Sequence, residues 1–436
     1  MFKIPIAVYM KTYQKIIVAT LSIFIFSYLV YKFLIIDFLF PVNNTLEKFI
    51  SKNTIKIENI DPNNLNNSNF DQIISAIGDS KIVFLGEQDH GEAPAFLVKS
   101  KLIKILHETM GFDVIIFESD FFGLNFDPTK TDYILGNHTD YQENIYSIWS
   151  NCLECQYLFE YINKSKESES PIFVAGADTR HHGLNSNKFL VPSFINYMSS
   201  NNFFESKDEE KTIVRVLTEL LEKEYNSQID KSDKNDFLVF LERTEEKIDD
   251  SIFWHQEIRN LRGFFHNTFS NSNNERDIQM ADNLLWLLKH PFKDKKVIFW
   301  GSNSHIFKNY STINDKYAAN ASDQDTTNMG SEIAKVMEDD LFILGFTSFK
   351  GEGGRLYQEG YDIKKPNPNH FEALIHKLNF DYAFIDFQKG HGELDGVEEF
   401  WMKTLIHQPK YFAWHKMFDG VFYIKDSYRC EETPAL

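Results

Sequence analysis

The chain has 436 residues, 43% of them hydrophobic and 15% aromatic, with 41 Phe against 20 Gly, so it can bury a sizeable core in one large domain with an insertion or in two domains. Its formal net charge of −18 argues against a duplex nucleic-acid binder, which needs a basic face to neutralise phosphates, and leaves a small molecule as the expected partner. Three cysteines, Cys152, Cys155 and Cys430, are too few for a disulfide-stapled scaffold, and the Cys152-x-x-Cys155 pair reads as two thiols on one helix face.

In chain order, the first feature is apolar. Residues 16–31, IIVATLSIFIFSYLVY, carry no charge, and FLII carries the run on to residue 36 past Lys32. That is about the 20 residues a bilayer-spanning helix needs. Lys3, Lys11 and Lys15 precede it. The expectation is a single-pass membrane protein anchored through residues 1–41, with the N-terminus cytoplasmic and the rest extracytoplasmic. The Asn-rich stretch 42–70 reads as a polar tether, and 71–430 as the folded domain.

Within that domain, short apolar runs alternate with helix-spaced ones. KIVFLG (81–86) precedes a helical pattern over 93–111; DVIIFE (113–118) precedes another over 142–165, followed by PIFVAGAD (171–178). Later runs are KVIFWGSN (296–303), DLFILGFTS (340–348), DYAFIDF (381–387) and GVFYIKD (420–426). Between about 186 and 290 the apolar spacing is helical throughout, which predicts a helical insertion. Strand–helix alternation with continuously apolar strands predicts an α/β fold: a mainly parallel sheet covered by helices on both faces.

In such sheets ligands sit beyond the carboxyl ends of the strands. Titratable residues gather at four of those ends: EQDHGE (87–92), ESD (118–120), ADTRHH (177–182) and SNSH (302–305). No G-x-S-x-G or H-E-x-x-H motif supplies a nucleophile or a zinc site. Water activated by a general base is then the simplest hydrolytic scheme. Histidine titrates nearest neutrality of the side chains, so His90 suits the base, with Glu87 or Glu118 fixing its tautomer and His305 polarising the carbonyl or protonating the leaving group. Lys99, Asp120, Asp178, Arg180, Ser302 and Asn303 are the candidates for substrate contact.

LGEQDHGE with Lys99, GFDVIIFESD, WSNCLECQYLFEYIN, ERDIQMADNLLWLL and WGSNSHI resemble, in order, the motifs of the erythromycin esterase family. The resemblance runs from about residue 57 to 426 and implies an α/β core with helical insertions and hydrolysis of a macrolactone ester by histidine-activated water. It places Glu87, His90, Glu118 and His305 at the family's active-site positions. Two positions depart from the pattern: Ser302 stands for the first histidine of W-x-H-N-x-H, and Lys99 for an arginine. Serine cannot shuttle a proton near neutral pH, and lysine lacks the bidentate fork of arginine.

Two further classes fit the same residues. A metal-dependent hydrolase of the Tiki-like protease class would use a divalent ion held by His90, Glu118, His181, His182 and His305, although no cofactor is required by the water scheme. A surface binding protein impaired in catalysis would follow from Ser302.

Overall fold

The computed structural model describes residues 6–31, 43–64, 69–127, 141–270, 273–311, 313, 326–389, 391–394 and 396–434. Its strands are β1 (Thr54–Ile57), β2 (Ile82–Leu85), β3 (Phe112–Asp120), β4 (Phe173–Asp178), β5 (Lys296–Trp300), β6 (Leu341–Gly353), β7 (Tyr361–Ile363), β8 (Tyr382–Asp386), β9 (Phe400–Leu405), β10 (Gln408–Phe412) and β11 (Gly420–Ser427). One nine-stranded sheet has the order β1-β8-β11-β6-β2-β5-β3-β4, with β7 beside β6. From β11 to β4 every pairing is parallel, while β8, β1 and β7 join antiparallel. The seven apolar runs expected as strands all lie in this sheet.

Strand periodicity explains the two cores. Successive side chains point to opposite faces, so Phe84, Ile116 and Phe299 enter one apolar cluster while Val83, Ile115 and Ile298 enter the other. The second cluster is closed by helices α1 (Phe70–Ile77), α2 (Ala93–Met110) and α3 (Leu153–Ser165), through residues such as Ile73, Leu102 and Leu158. The first is covered by α4 (Val191–Ser200), α5 (Lys207–Lys223), α6 (Lys231–Glu245), α7 (Phe253–Ser270) and α8 (Asn273–Lys289). Ser206 and Asp230 start α5 and α6, each accepting from a backbone amide three residues on. Strands buried on both faces read as unbroken apolar runs, and this is why they were legible.

Two expectations about the N-terminal region change. The stretch 42–70 is not only a tether: Asn44–Asn53 is a helix, and β1 pairs antiparallel with β8. The single-pass anchor is overturned, because among the described residues no helix is long and apolar enough to cross a membrane. Helix Ile6–Val30 carries Lys11 and Lys15 in its first half. Its charge-free part, 16–30, spans about 22 Å at 1.5 Å per residue, short of the roughly 30 Å hydrocarbon core, and 32–36 lie outside the described residues.

The cysteines also differ from expectation. Cys152 sits just before α3 and is joined to Cys430 by a disulfide across 278 residues, tying the strand-end loop after β3 to the C-terminal tail. Cys155 is free and buried. Sequence spacing put Cys152 and Cys155 on one helix face as thiols; the tertiary fold pairs Cys152 with the distant Cys430.

Candidate active site

The carboxyl ends of β2, β5, β3 and β4 are neighbours in the sheet, so their loops open on one cleft of about 650 Å³. The loop after β2 supplies Glu87 and His90. It turns at Gly91, where a Cβ would stand 2.0 Å from the Gly354 carbonyl oxygen, so only glycine allows the two segments to touch there.

Glu87 is fully buried. Its Oε1 accepts from His90 Nδ1 at 2.8 Å and from Trp149 Nε1 at 2.9 Å, and its Oε2 pairs with Lys99 Nζ. A carboxylate bonded to Nδ1 fixes the proton there and leaves Nε2 with a free lone pair. Trp149 also sets its ring at 88° to the imidazole, 5.1 Å between centroids, which limits rotation of His90. Of the two carboxylates proposed to orient His90, Glu87 is in hydrogen-bond contact, while Glu118 Oε1 lies 4.0 Å from Nε2, beyond hydrogen-bond reach.

Glu118 is instead the hub of the facing group. Its Oε1 is 3.0 Å from Arg276 Nη2 and 3.3 Å from His305 Nε2, and its Oε2 accepts from the Ser302 amide at 2.8 Å. Burial works to raise its pKa, but His305, His90 and Arg276 outweigh that and hold it at about 2. His305 Nδ1 meets Asp277 Oδ1 at 2.7 Å. Burial disfavours its charge, yet Asp277 and Glu118 together raise its pKa above the ordinary value. Neutral His305, protonated on Nδ1, accepts from Arg276 Nη1 at 3.2 Å; the imidazolium donates to Asp277 and Glu118 instead, and the raised pKa favours that second form.

The substrate-contact candidates divide. Arg180 and Ser302 line the cleft. Asp178 lies beneath it, accepting from Arg276 Nε at 2.9 Å and from Tyr146 Oη at 3.0 Å, and despite burial the Arg276 charge holds its pKa well below normal. Lys99 is fully buried against Glu87 and over the Trp300 ring, and burial lowers its pKa in spite of Glu87. Asp120 caps a short helix and accepts from Gly123 and Gly183 amides, each at 2.7 Å; burial raises its pKa to about 6. Asn303 spans Phe346 and Thr404 carbonyls at 2.8 and 2.7 Å. These last three act as scaffold for the loops and do not face the cleft.

Of the five metal candidates, His90 and His305 flank Glu118 at 4.0 and 3.3 Å, but His181 and His182 do not join them. His181 is buried, 3.8 Å from both Asp120 and Glu257, with its pKa lowered by burial to about 3, and His182 pairs with Glu224 nearer the surface. Among the described residues, the group with metal-ligand spacing is Cys152, Glu154 and Cys430, whose sulfurs form the disulfide.

Several residues escaped sequence reasoning. Arg276 and Asp277 lie in the first turns of α8, in the ERDIQMADNLLWLL stretch that carries the family resemblance, but neither was named as a site candidate. Trp149 leads the WSNCLECQYLFEYIN stretch of the family resemblance but was given no role at the site. The β9–β10 hairpin gave no signal. Its turn residues Ile406 and His407 have φ of 48° and 53°, costly for a β-branched side chain. The turn is clipped to the histidine loop: the Ile406 amide donates to Gln88 O at 3.2 Å, and His407 Nε2 lies 3.1 Å from Glu92 Oε1.

Residues 107–427 match the erythromycin esterase family. YbfO of Bacillus subtilis (strain 168), designated a hydrolase, is 24% identical over 358 residues, covering 75% of this chain and 79% of that one. Erythromycin esterase type II of Escherichia coli is 24% identical over 408 residues, covering 83% of this chain and 93% of that one. The fold is that of a mutant of the erythromycin esterase EreC in its open conformation, with a TM-score of 0.59 at 13% identity, covering 87% of this chain and 98% of that one. The relatives support a hydrolase, and the chain belongs to the erythromycin esterase family.

Proposed function

We propose that this chain hydrolyses an ester or lactone of a small molecule, with His90 as general base. The Glu87–His90 bond of 2.8 Å carries the reading, because it directs a basic Nε2 toward the cleft. In the proposed step water gives a proton to Nε2 as its oxygen bonds to the ester carbonyl carbon. The developing imidazolium is stabilised by Glu87, whose own charge is held by Lys99 and Trp149. Charge growing on the carbonyl oxygen falls near Arg276 and protonated His305, a stabilisation strongest in a water-poor cleft. Collapse breaks the carbon–alkoxide bond, and the alkoxide takes the proton from His90, giving acid and alcohol. Ser302 has its hydroxyl 2.8 Å from that of Ser304 and transfers no proton in this scheme.

The test is turnover of the full chain on a panel of p-nitrophenyl esters and lactones. His90→Ala should lower kcat by roughly 10²–10⁴-fold on any ester that is cleaved. Full turnover in that variant, with loss on chelation, would overturn water activation by histidine.

A further inference from the structure

Strands β9 and β10 meet in a two-residue turn: Gln408 pairs with Leu405, and Ile406 and His407 between them both have positive φ. Two-residue hairpin turns with positive φ at both positions favour Asn-Gly, because a side chain branched at Cβ crowds the backbone in the left-handed region. His407 has a structural reason to be there, since it is buried against Glu92. Leu405 and Phe412 line the cleft but also pack on the first apolar cluster. Ile406 lines the same cleft, yet it takes part in neither apolar cluster and is 55% exposed. Its amide serves the fold by donating to Gln88 O at 3.2 Å, and any residue except proline supplies that bond. An isoleucine here therefore strains the backbone and exposes apolar surface at once. Strain kept where the fold gains nothing from the side chain marks a functional contact.

We infer that Ile406 is a specificity-determining residue, on which an apolar chain of the ester packs and covers the side chain that the free protein exposes. The inference rests on the hydrolytic reading above and narrows its substrate class to esters with such a chain. Gln88, whose carbonyl holds the Ile406 amide, is two residues from His90, so a chain seated on Ile406 keeps its ester near the base. Covering a half-exposed aliphatic side chain is worth about tenfold in kcat/KM.

The experiment follows acid release by the full chain in a pH-stat from methyl acetate, hexyl acetate and methyl hexanoate, which carry the apolar chain on neither side, the alcohol side or the acyl side of the ester. At least one chain-bearing ester should lead methyl acetate in kcat/KM. That lead should fall about tenfold in Ile406→Gly, with methyl acetate turnover unchanged. Ile406→Asn should lose the lead as well and should unfold at higher denaturant than the wild type, because asparagine accepts positive φ. No lead in the wild type, a lead kept in Ile406→Gly, or equal loss on all three esters would overturn the contact. So would a less stable Ile406→Asn, since the side chain would then serve the fold. In each of those cases, loss of turnover in His90→Ala leaves water activation standing. No turnover on any ester would defeat the hydrolytic reading, and calorimetric titration with 2-octanone, an uncleavable ketone of similar shape, then decides the contact alone. Binding weakened by Ile406→Gly upholds it; equal binding, or none, overturns it.

Discussion

Replacing Glu87 by glutamine removes the charge from a carboxylate with three buried partners: His90 Nδ1, Trp149 Nε1 and Lys99 Nζ. The amide has one acceptor oxygen where the carboxylate had two. If that oxygen stays with His90 and Trp149, the NH₂ group faces the Lys99 ammonium, donor against donor. If it turns to Lys99, the NH₂ faces Nδ1 and demands the opposite tautomer, which puts the proton on Nε2 and abolishes the base. The first arrangement strands a fully buried lysine, and breaking a buried ion pair on one side costs about 3–5 kcal/mol. The second removes general-base catalysis, roughly 10²–10⁴-fold in kcat. Lys99 already has its pKa lowered by burial, so part of the stability cost is relieved by deprotonation at alkaline pH. Denaturant unfolding and ester turnover, measured on Glu87→Gln and on the double variant with Lys99→Met, separate the two effects. The double variant should regain most of the lost stability, and its glutamine oxygen, no longer drawn to Lys99, can return to His90 and Trp149, so it should regain the part of turnover lost to the wrong tautomer but not the part lost with the carboxylate charge. A Glu87→Gln protein with wild-type stability and wild-type kcat would refute the reasoning, since both consequences follow from the same three contacts.

Three other perturbations test separate parts of the structure. Asp277→Asn removes the largest favourable influence on the raised His305 pKa, so the pH at which activity declines on the alkaline side should move down, as read from a kcat–pH profile. Glu118 has its folded pKa lowered to about 2 from an ordinary 4.5, so its stabilising contribution is complete above 4.5 and lost as pH falls through 2; Glu118→Gln should flatten acid unfolding across that window in a circular-dichroism titration. Reducing the Cys152–Cys430 disulfide opens a loop of 278 residues, worth about 5 kcal/mol by loop-closure entropy, and should lower the unfolding midpoint in the presence of a reductant, with no further drop in Cys152→Ser.

The amino-acid sequence by itself determined seven of the nine strands of the sheet. Strands buried on both faces must be apolar at every position, so KIVFLG, DVIIFE and KVIFWG announce themselves without knowledge of their neighbours. The polar residues that end those strands were legible for the same local reason, and they led to Glu87, His90, Glu118 and His305. Only the tertiary structure decided which of them touch. Glu87 and Glu118 were equivalent partners for His90 on paper; the turn at Gly91 and the indole of Trp149, 62 residues from Glu87, place one at 2.8 Å and the other at 4.0 Å. Arg276 reaches Glu118 across 158 residues, and Cys152 reaches Cys430 across 278. Such pairings depend on how helices from the 186–290 stretch and the C-terminal tail settle on the sheet, and no local period records that. Lys99, Asp120 and Asn303 show the converse. Their polarity suggested substrate contact, but only packing reveals that buried backbone and a buried carboxylate claim them first.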